Sequence, residues 1–262
     1  MENDKQSEKS LEQRGKFLED MSTEIQDAIK NIVSHSDFLR QTDLSVKQLE
    51  YLEEVYSSTR RLSWIINDML DFSQLELGKV DFQSINFNLE YLINDILKKV
   101  GEEQKDRPID TCVDIDKDIP RDLVGDPTRL RQVLVHLLGN AFKFTTQGEV
   151  SIVVRNADHE VISGDAKSNK IKLRIVVKDT GQGVPKDQLD SIFNLHSQGN
   201  VARSSQYEGT RLGLAICKLV VEAMGGTIQA QSEEGKGSLF IVDLFFERGA
   251  LPREQKVYPL AR

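Results

Sequence analysis

The chain has 262 residues, of which 39% are hydrophobic and 29% charged, as in an ordinary soluble globular protein with one large or two medium domains. The net charge of −8 argues against nucleic acid or an anionic membrane as the main partner. There is no run of about 18 apolar residues, which argues against a membrane-spanning helix or other membrane contact in this stretch. Cys112 and Cys217 lie far apart and in no motif, which excludes a cysteine metal site and favours a reducing cytoplasm.

Two stretches with heptad spacing open the chain and predict a helical hairpin over residues 1–78, with a coiled-coil start. Ser45, followed three residues later by Gln48, predicts a capping box at the start of the second helix, and Gly78 marks its end. The first seam holds Leu18, Met21, Ile25, Ala28, Ile32, His35 and Leu39. The second seam holds Tyr51, Val55, Ser58, Leu62, Ile65, Met69 and Phe72.

Two helices form only half of a four-helix bundle. We therefore expect two chains to pair as a homodimer, so that each hairpin covers the other's seams. The alternative is that the hairpin docks onto the domain that follows it in the same chain.

Residues 79–248 mix helices and strands, which predicts an α+β fold with a largely antiparallel sheet, and residues 249–262 read as a polar tail or linker. Asn88 is the expected N-cap of a helix over residues 88–100. The other predicted helices cover 127–144 and 212–224. Strands are predicted over 79–87, 109–115, 149–155, 171–179, 226–232 and 237–246.

The stretch VVKDTGQGVP, residues 176–185, places Asp179 at the end of an apolar strand. Gly181 and Gly183 allow the backbone to turn and to approach a ligand closely. A carboxylate there can accept a hydrogen bond from an exocyclic amine such as that of adenine. A plain turn that contains an aspartate would look the same.

The stretch GDPTRLRQVLVHLLGNAFKFT, residues 125–145, predicts a helix with His136, Asn140 and Lys143 on one face. The amide oxygen of Asn140 suits a hydrated magnesium ion, and Lys143 suits a phosphate. A solvated helix face is the alternative.

The stretch EGTRLGLAI, residues 208–216, follows a polar segment and runs directly into a predicted helix. Glycines before a helix start form an anion site from backbone N–H groups and the helix dipole. A flexible lid that closes over phosphates is the functional interpretation. Together, the three stretches are far more specific than any one of them.

In this order and spacing, the motifs resemble the transmitter core of a two-component sensor histidine kinase, of the hybrid type, over residues 17–246. The resemblance implies a dimeric phosphoacceptor bundle followed by an α/β-sandwich domain that binds ATP and Mg²⁺. It also implies a response regulator receiver domain as partner, and a cytoplasmic location, in some members as the cytoplasmic part of a membrane-anchored sensor. Asn140 is the implied magnesium ligand. The implied nucleotide site comprises Asn140, Lys143, Asp179, Gly181, Gly183 and, in the lid, Gly209, Thr210, Gly213 and Leu214.

The phosphoacceptor segment departs from the family pattern Ser-His-Glu-hydrophobic-Arg-Thr-Pro-Leu. Residues 22–29 read Ser-Thr-Glu-Ile-Gln-Asp-Ala-Ile, so that Thr23 occupies the acceptor position and Glu24 the position of the base. A threonine hydroxyl is a weaker nucleophile than imidazole near neutral pH. A phosphothreonine is a stable ester and a poor phosphoryl donor. Asp27 replaces the small polar residue that family members use to dephosphorylate their response regulators, which argues against that reverse activity too.

Four departures touch the nucleotide site or its lid, and we expect three of them to weaken ATP and Mg²⁺ binding. His136 replaces an asparagine, Glu208 a lid glycine and Arg211 a second lid glycine, although the charge of Arg211 could instead clamp a phosphate. His196 replaces a phenylalanine. His35 lies in the first seam and is expected to be packed, and His159 lies in a polar loop, so neither is expected to replace the missing acceptor.

The favoured hypothesis is a degenerate kinase, a dimeric pseudokinase scaffold that responds to nucleotide or pairs with an active kinase. The alternative is a working kinase, which either phosphorylates a partner's histidine or carries an engineered threonine at position 23. An ATPase that performs mechanical work would hold a glutamate at position 136, where this chain has histidine.

Overall fold

The computed structural model describes residues 2–78, 80–102, 107–157, 169–194 and 211–249, and it divides the chain into two compact units, 1–80 and 81–262. The first unit consists of the helices α1 (Glu2–Arg40) and α2 (Val46–Glu76). The helices of the second unit are α3 (Leu89–Glu102), α4 (Pro127–Phe144), α5 (Lys186–Leu189) and α6 (Arg211–Ala223). Its strands are β1 (Ile85–Asn88), β2 (Ile109–Ile115), β3 (Asp122–Gly125), β4 (Gly148–Asn156), β5 (Lys170–Asp179), β6 (Thr227–Glu233) and β7 (Gly237–Arg248).

The turn between α1 and α2 is set by the predicted capping box. The Ser45 hydroxyl accepts the Gln48 N–H, and the Gln48 side chain accepts the Ser45 N–H at 2.8 Å. Gln26 donates to Asn67 across the hairpin at 2.9 Å. These bonds hold the two helices antiparallel, as the sequence predicts.

The contact between α1 and α2 uses a different face from the predicted seams. The buried side chains of the hairpin are Ser22, Ile29, Ser36, Leu52 and Thr59. The predicted seams are largely exposed within one chain, with values of 40% for Met21, 46% for Ile32, 44% for Leu62, 48% for Ile65 and 50% for Met69. The reason is that α1 and α2 approach each other through a face about 90° round each helix from the seams, at about 100° per residue, on which small polar side chains alternate with Ile29 and Leu52.

The second unit is a seven-stranded sheet in the order β1-β3-β7-β5-β4-β2, with β6 also paired to β7. The β2–β4 pair is parallel, and the pairs β1–β3, β3–β7, β4–β5, β5–β7 and β6–β7 are antiparallel. This confirms the predicted α+β class with a largely antiparallel sheet.

The core lies between the helices and one face of the sheet. Along β5, Ile171, Leu173 and Ile175 are fully buried, and the residues between them are partly exposed. Helix α4 contacts β4 and β5, while α6 contacts α4 and β6. Because α4 packs on the sheet through its apolar face, its polar face is the one left to contact a ligand.

Three details differ from the predicted elements. The strand predicted over residues 79–87 pairs only from Ile85, where β3 provides a partner. Strand β3 and the one-turn helix α5 were not predicted, because four residues are too few to show a period. The predicted Asn88 cap is confirmed, since its side chain accepts the Tyr91 N–H at 2.8 Å.

Candidate functional site

Helix α4 carries the first group of predicted site residues. Asp126 caps its start by accepting the Arg129 N–H at 2.9 Å, and Pro127 occupies the first turn. The inner face of the helix is fully buried at Val133, Leu134, Leu137 and Leu138. The opposite face bears His136 and Asn140, both partly exposed, and the exposed Lys143, whose ammonium lies 5.2 Å from the centre of the Phe144 ring.

Asp179 closes β5 and is 5% exposed. Its Oδ1 accepts the N–H of Gly181 at 2.8 Å and that of Ser238 at 3.3 Å. Burial raises the pKa of this carboxyl, although hydrogen bonds from the Gly181 and Ser238 N–H groups and from the Ser238 side chain oppose the effect. A buried carboxyl whose position is fixed in this way is typical of a ligand-binding carboxylate.

The loop after β5 is tied to α4 and to the β6–β7 hairpin. Gln182 donates its N–H to the Phe144 carbonyl at 3.2 Å and accepts the Gly235 N–H at 2.7 Å. The Val184 N–H bonds to the Ser232 hydroxyl at 2.7 Å. These bonds place Asp179 beside the end of α4, as predicted.

The two predicted pocket glycines allow close approach of backbone to backbone. A Cβ on Gly181 would lie 2.4 Å from the Phe144 carbonyl oxygen. Gly183 has φ +71°, and a Cβ there would lie 2.2 Å from the Glu233 carbonyl oxygen. Both glycines therefore let the loop after β5 pack closely against the backbone at the end of α4 and at the end of β6.

The start of α6 meets the same face of α4. A Cβ on Gly213 would lie 2.7 Å from Nδ1 of His136, so the imidazole occupies the space beside this glycine. Leu214 is 7% exposed and belongs to the core. Of the predicted lid, Gly209, Thr210, Glu208 and His196 lie outside the described residues, as does His159 in the β4–β5 loop.

The acceptor segment lies on α1. Thr23 and Glu24 are exposed, whereas the neighbouring Ser22 is 4% exposed, and its hydroxyl has no hydrogen-bond partner among the described residues. Thr23 lies two residues, or about 200°, round the helix from the seam residue Met21. The acceptor position therefore faces away from both the seam and the partner helix.

His35 lies near the end of α1. Its Nδ1 lies 2.7 Å from the Asn31 carbonyl oxygen, and its ring meets Phe38 edge-on. The residue is exposed within one chain, and its packing in the seam between two chains stays a prediction. It lies about 18 Å along the helix from Thr23, at about 1.5 Å per residue.

Two family models match the chain. Residues 13–78 match the "His Kinase A (phospho-acceptor) domain", and residues 125–248 match the "Histidine kinase-, DNA gyrase B-, and HSP90-like ATPase". The chain belongs to the histidine kinase family. Its two units are the helical phosphoacceptor part and the α/β ATPase part of a transmitter core, as the motifs indicated.

Similar proteins are hybrid and sensor kinases of much greater length. The sensor histidine kinase GacS of Pseudomonas protegens is 36% identical over 232 residues, which cover 88% of this chain and 24% of GacS. BarA of Escherichia coli is 32% identical over 237 residues, covering 90% of this chain and 25% of BarA. This chain thus spans about a quarter of the length of these relatives.

Among solved structures, full-length ShkA in complex with AMPPNP superposes with a TM-score of 0.70 at 26% identity, over 90% of this chain and 47% of ShkA. AdeS of Acinetobacter baumannii has a TM-score of 0.55 at 16% identity, over 86% of this chain and 95% of AdeS, and shows the fold alone. Within the described part of this chain, no helix combines the length and apolarity that crossing a bilayer requires.

The residues present fit a nucleotide. Asp179 supplies a buried acceptor, and the Thr145 hydroxyl, fully buried at the end of α4, lacks a partner among the described residues, as groups satisfied by a ligand or a water do. No cluster of three or more His, Cys, Asp or Glu side chains suited to a metal occurs in the described ranges. A metal would therefore rest on Asn140, on the nucleotide phosphates and on water.

The sequence analysis missed several supporting groups. The Ser238 N–H and the Gln182 backbone hold Asp179 and its loop in place, but they act through main-chain atoms that any residue type could supply. Thr180 bonds through its hydroxyl to the Glu149 N–H at 2.9 Å. The DTG motif contains this threonine, and its position beside Asp179 was the one available signal.

Proposed function

We propose that this chain is the dimeric core of a two-component signalling protein that binds ATP and has lost the ability to phosphorylate itself. The observation that carries the proposal is Thr23, which is exposed at the acceptor position of an otherwise regular hairpin. The exposed position suits a phosphoryl acceptor, but a threonine hydroxyl is a poor nucleophile for that role.

The chemistry at Thr23 opposes a phosphorelay. The hydroxyl must lose a proton near neutral pH, far below its own pKa, and Glu24 is the nearest base in sequence. If a phosphothreonine formed, it would be an ester, which transfers its phosphoryl group to an aspartate poorly. The module therefore passes on conformational signals and does not donate phosphate.

The second unit retains a nucleotide site. Asp179 accepts the adenine amine, Asn140 holds Mg²⁺, and Lys143 contacts the phosphates. Magnesium would shield the phosphate charge, while the residues of this chain orient the nucleotide. We expect the affinity to be modest, because His136, Glu208 and Arg211 replace an asparagine and two glycines.

The exposed seams support dimerisation. Large apolar side chains line one face of α1 and α2 without cover from the same hairpin, including Ile32, Leu62, Ile65 and Met69. A second copy of the hairpin would cover them in a four-helix bundle. The partners of such a dimer are a response regulator receiver domain or an active kinase, and its location is the cytoplasm.

The proposal is tested by incubating the purified chain with γ-labelled ATP and Mg²⁺. We expect no label on the wild type, even though calorimetry detects ATP binding that is lost in Asp179→Asn. Label on any residue of the wild type that disappears in Asp179→Asn would contradict the proposal.

A second candidate is a working kinase that phosphorylates the histidine of a partner. It is favoured by the intact hydrogen bonds around Asp179 and by the bond that ties the loop after β5 to the end of α4. Mixing this chain with a histidine kinase that has an intact acceptor but a disabled nucleotide site distinguishes the two. Acid-labile label on that partner supports the second candidate.

A further inference from the structure

His136 occupies a central place in the candidate site. It lies one helical turn before Asn140, so their side chains are neighbours on α4, with Cβ atoms about 6 Å apart. Its Nδ1 faces the first turn of α6, at 2.7 Å from the position of a Cβ on Gly213. The imidazole is thus held between the implied metal ligand and the helix that follows the lid.

The imidazole changes the chemistry of this place. An amide oxygen at position 136 would be a hard ligand, suited to Mg²⁺. An imidazole nitrogen is a borderline ligand that binds first-row transition ions more strongly than Mg²⁺. A metal-bound histidine commonly packs or hydrogen-bonds through its other nitrogen, and the contact of Nδ1 with α6 is compatible with coordination through Nε2.

We propose that His136 and Asn140 together give the nucleotide site a preference for a divalent first-row transition ion, such as Mn²⁺ or Co²⁺, over Mg²⁺. The proposal rests on the proposed function, because the nucleotide phosphates supply the remaining ligands. It needs only two side chains from the protein, which agrees with the lack of a larger cluster of metal-binding residues in the described ranges. His136 then adapts the site to a different ion, and it is not a defect.

The matched control is His136→Asn, which restores the residue that the family pattern has at this position. We would titrate both proteins with a non-hydrolysable ATP analogue in the presence of Mg²⁺, Mn²⁺ or Co²⁺. The quantity compared is the ratio of Kd with Mg²⁺ to Kd with the transition ion. We expect this ratio to be about tenfold larger in the wild type than in His136→Asn, the low end of the usual effect of altering a metal site.

A spectroscopic readout tests the bond itself. In the complex with Mn²⁺ and the analogue, pulsed electron paramagnetic resonance should show coupling to an imidazole nitrogen in the wild type and none in His136→Asn. Equal ratios in the two proteins, or nitrogen coupling absent from the wild type, overturn the proposal while leaving nucleotide binding intact. No nucleotide binding with any ion by either protein overturns the proposed function as well.

Discussion

Asp179→Asn separates a ligand-binding carboxylate from a structural one. Oδ1 of Asp179 accepts two backbone N–H groups, from Gly181 at 2.8 Å and from Ser238 at 3.3 Å. In the variant, these donors fix the amide oxygen at the same place, so the amide NH₂ takes the place of Oδ2. In the proposed complex that donor would face the adenine amine, which is also a donor.

The expected loss of affinity follows from this mismatch. A hydrogen bond to a charged group contributes about 1.5–3 kcal/mol, which corresponds to an increase in Kd of about 10- to 100-fold. The folded protein should not lose stability. Because burial raises the pKa of Asp179 in the folded state, its ionisation above that pKa lowers the free energy of unfolding. Asparagine removes that cost at pH 7.

The assay combines calorimetric ATP titration with urea unfolding at pH 7. Asp243→Asn is the control, because Asp243 on β7 bonds to Arg174 at 2.8 Å and to Lys172 at 3.0 Å, away from the end of β5 where Asp179 lies. The control should lower the free energy of unfolding by about 1.5–3 kcal/mol and leave Kd unchanged. If Asp179→Asn binds ATP as tightly as the wild type and loses stability instead, Asp179 is a structural turn residue and the reasoning is refuted.

Three further outcomes are expected. Gly213→Ala places a methyl group 2.7 Å from His136 Nδ1, so it should lower the free energy of unfolding by about 1–3 kcal/mol. In the His136→Ala background the loss should be less than half as large, and an equal loss in both backgrounds would exclude this contact as the cause. Arg174 and Lys172 lower the pKa of Asp243, so the stability advantage of the wild type over Asp243→Asn should be complete above about pH 4 and decline as the pH falls through the lowered pKa; an advantage that does not change with pH below about 4 would contradict this. Ile65→Glu should yield monomers in sedimentation velocity, whereas Ser57→Glu, on the outward face of α2, should leave dimers; dimers of both would move the interface elsewhere.

In the hairpin, heptad spacing predicts the helices but only one of their two contact faces. The spacing gave the helices and the turn at Ser45 correctly, because periodicity and capping are local properties. It did not reveal that one hairpin needs two contact faces. The face between α1 and α2 contains Ser22, Ser36 and Thr59 beside only two buried apolar residues, Ile29 and Leu52, which are too few to form a hydrophobic pattern.

The candidate site shows the same limit. The side chains of Asn140 and Asp179 were predicted from motifs, and the structure brings their elements together through the Gln182 bonds to Phe144 and Gly235. Those bonds involve main-chain atoms, so they cannot be predicted from the residue types. The contact between His136 and Gly213 joins positions 77 residues apart, and it depends on how α4 and α6 pack.

Restoring histidine at position 23 tests the central claim most directly, namely that the acceptor has been lost while the nucleotide site remains. Thr23→His would be incubated with γ-labelled ATP, with Mg²⁺ and Mn²⁺ in separate samples, beside the wild type and the double variant Thr23→His/Asp179→Asn. We expect label that is acid-labile and base-stable in Thr23→His alone. No label in Thr23→His with both Mg²⁺ and Mn²⁺, or equal label in the wild type, would contradict the claim that the acceptor is lost and the nucleotide site remains.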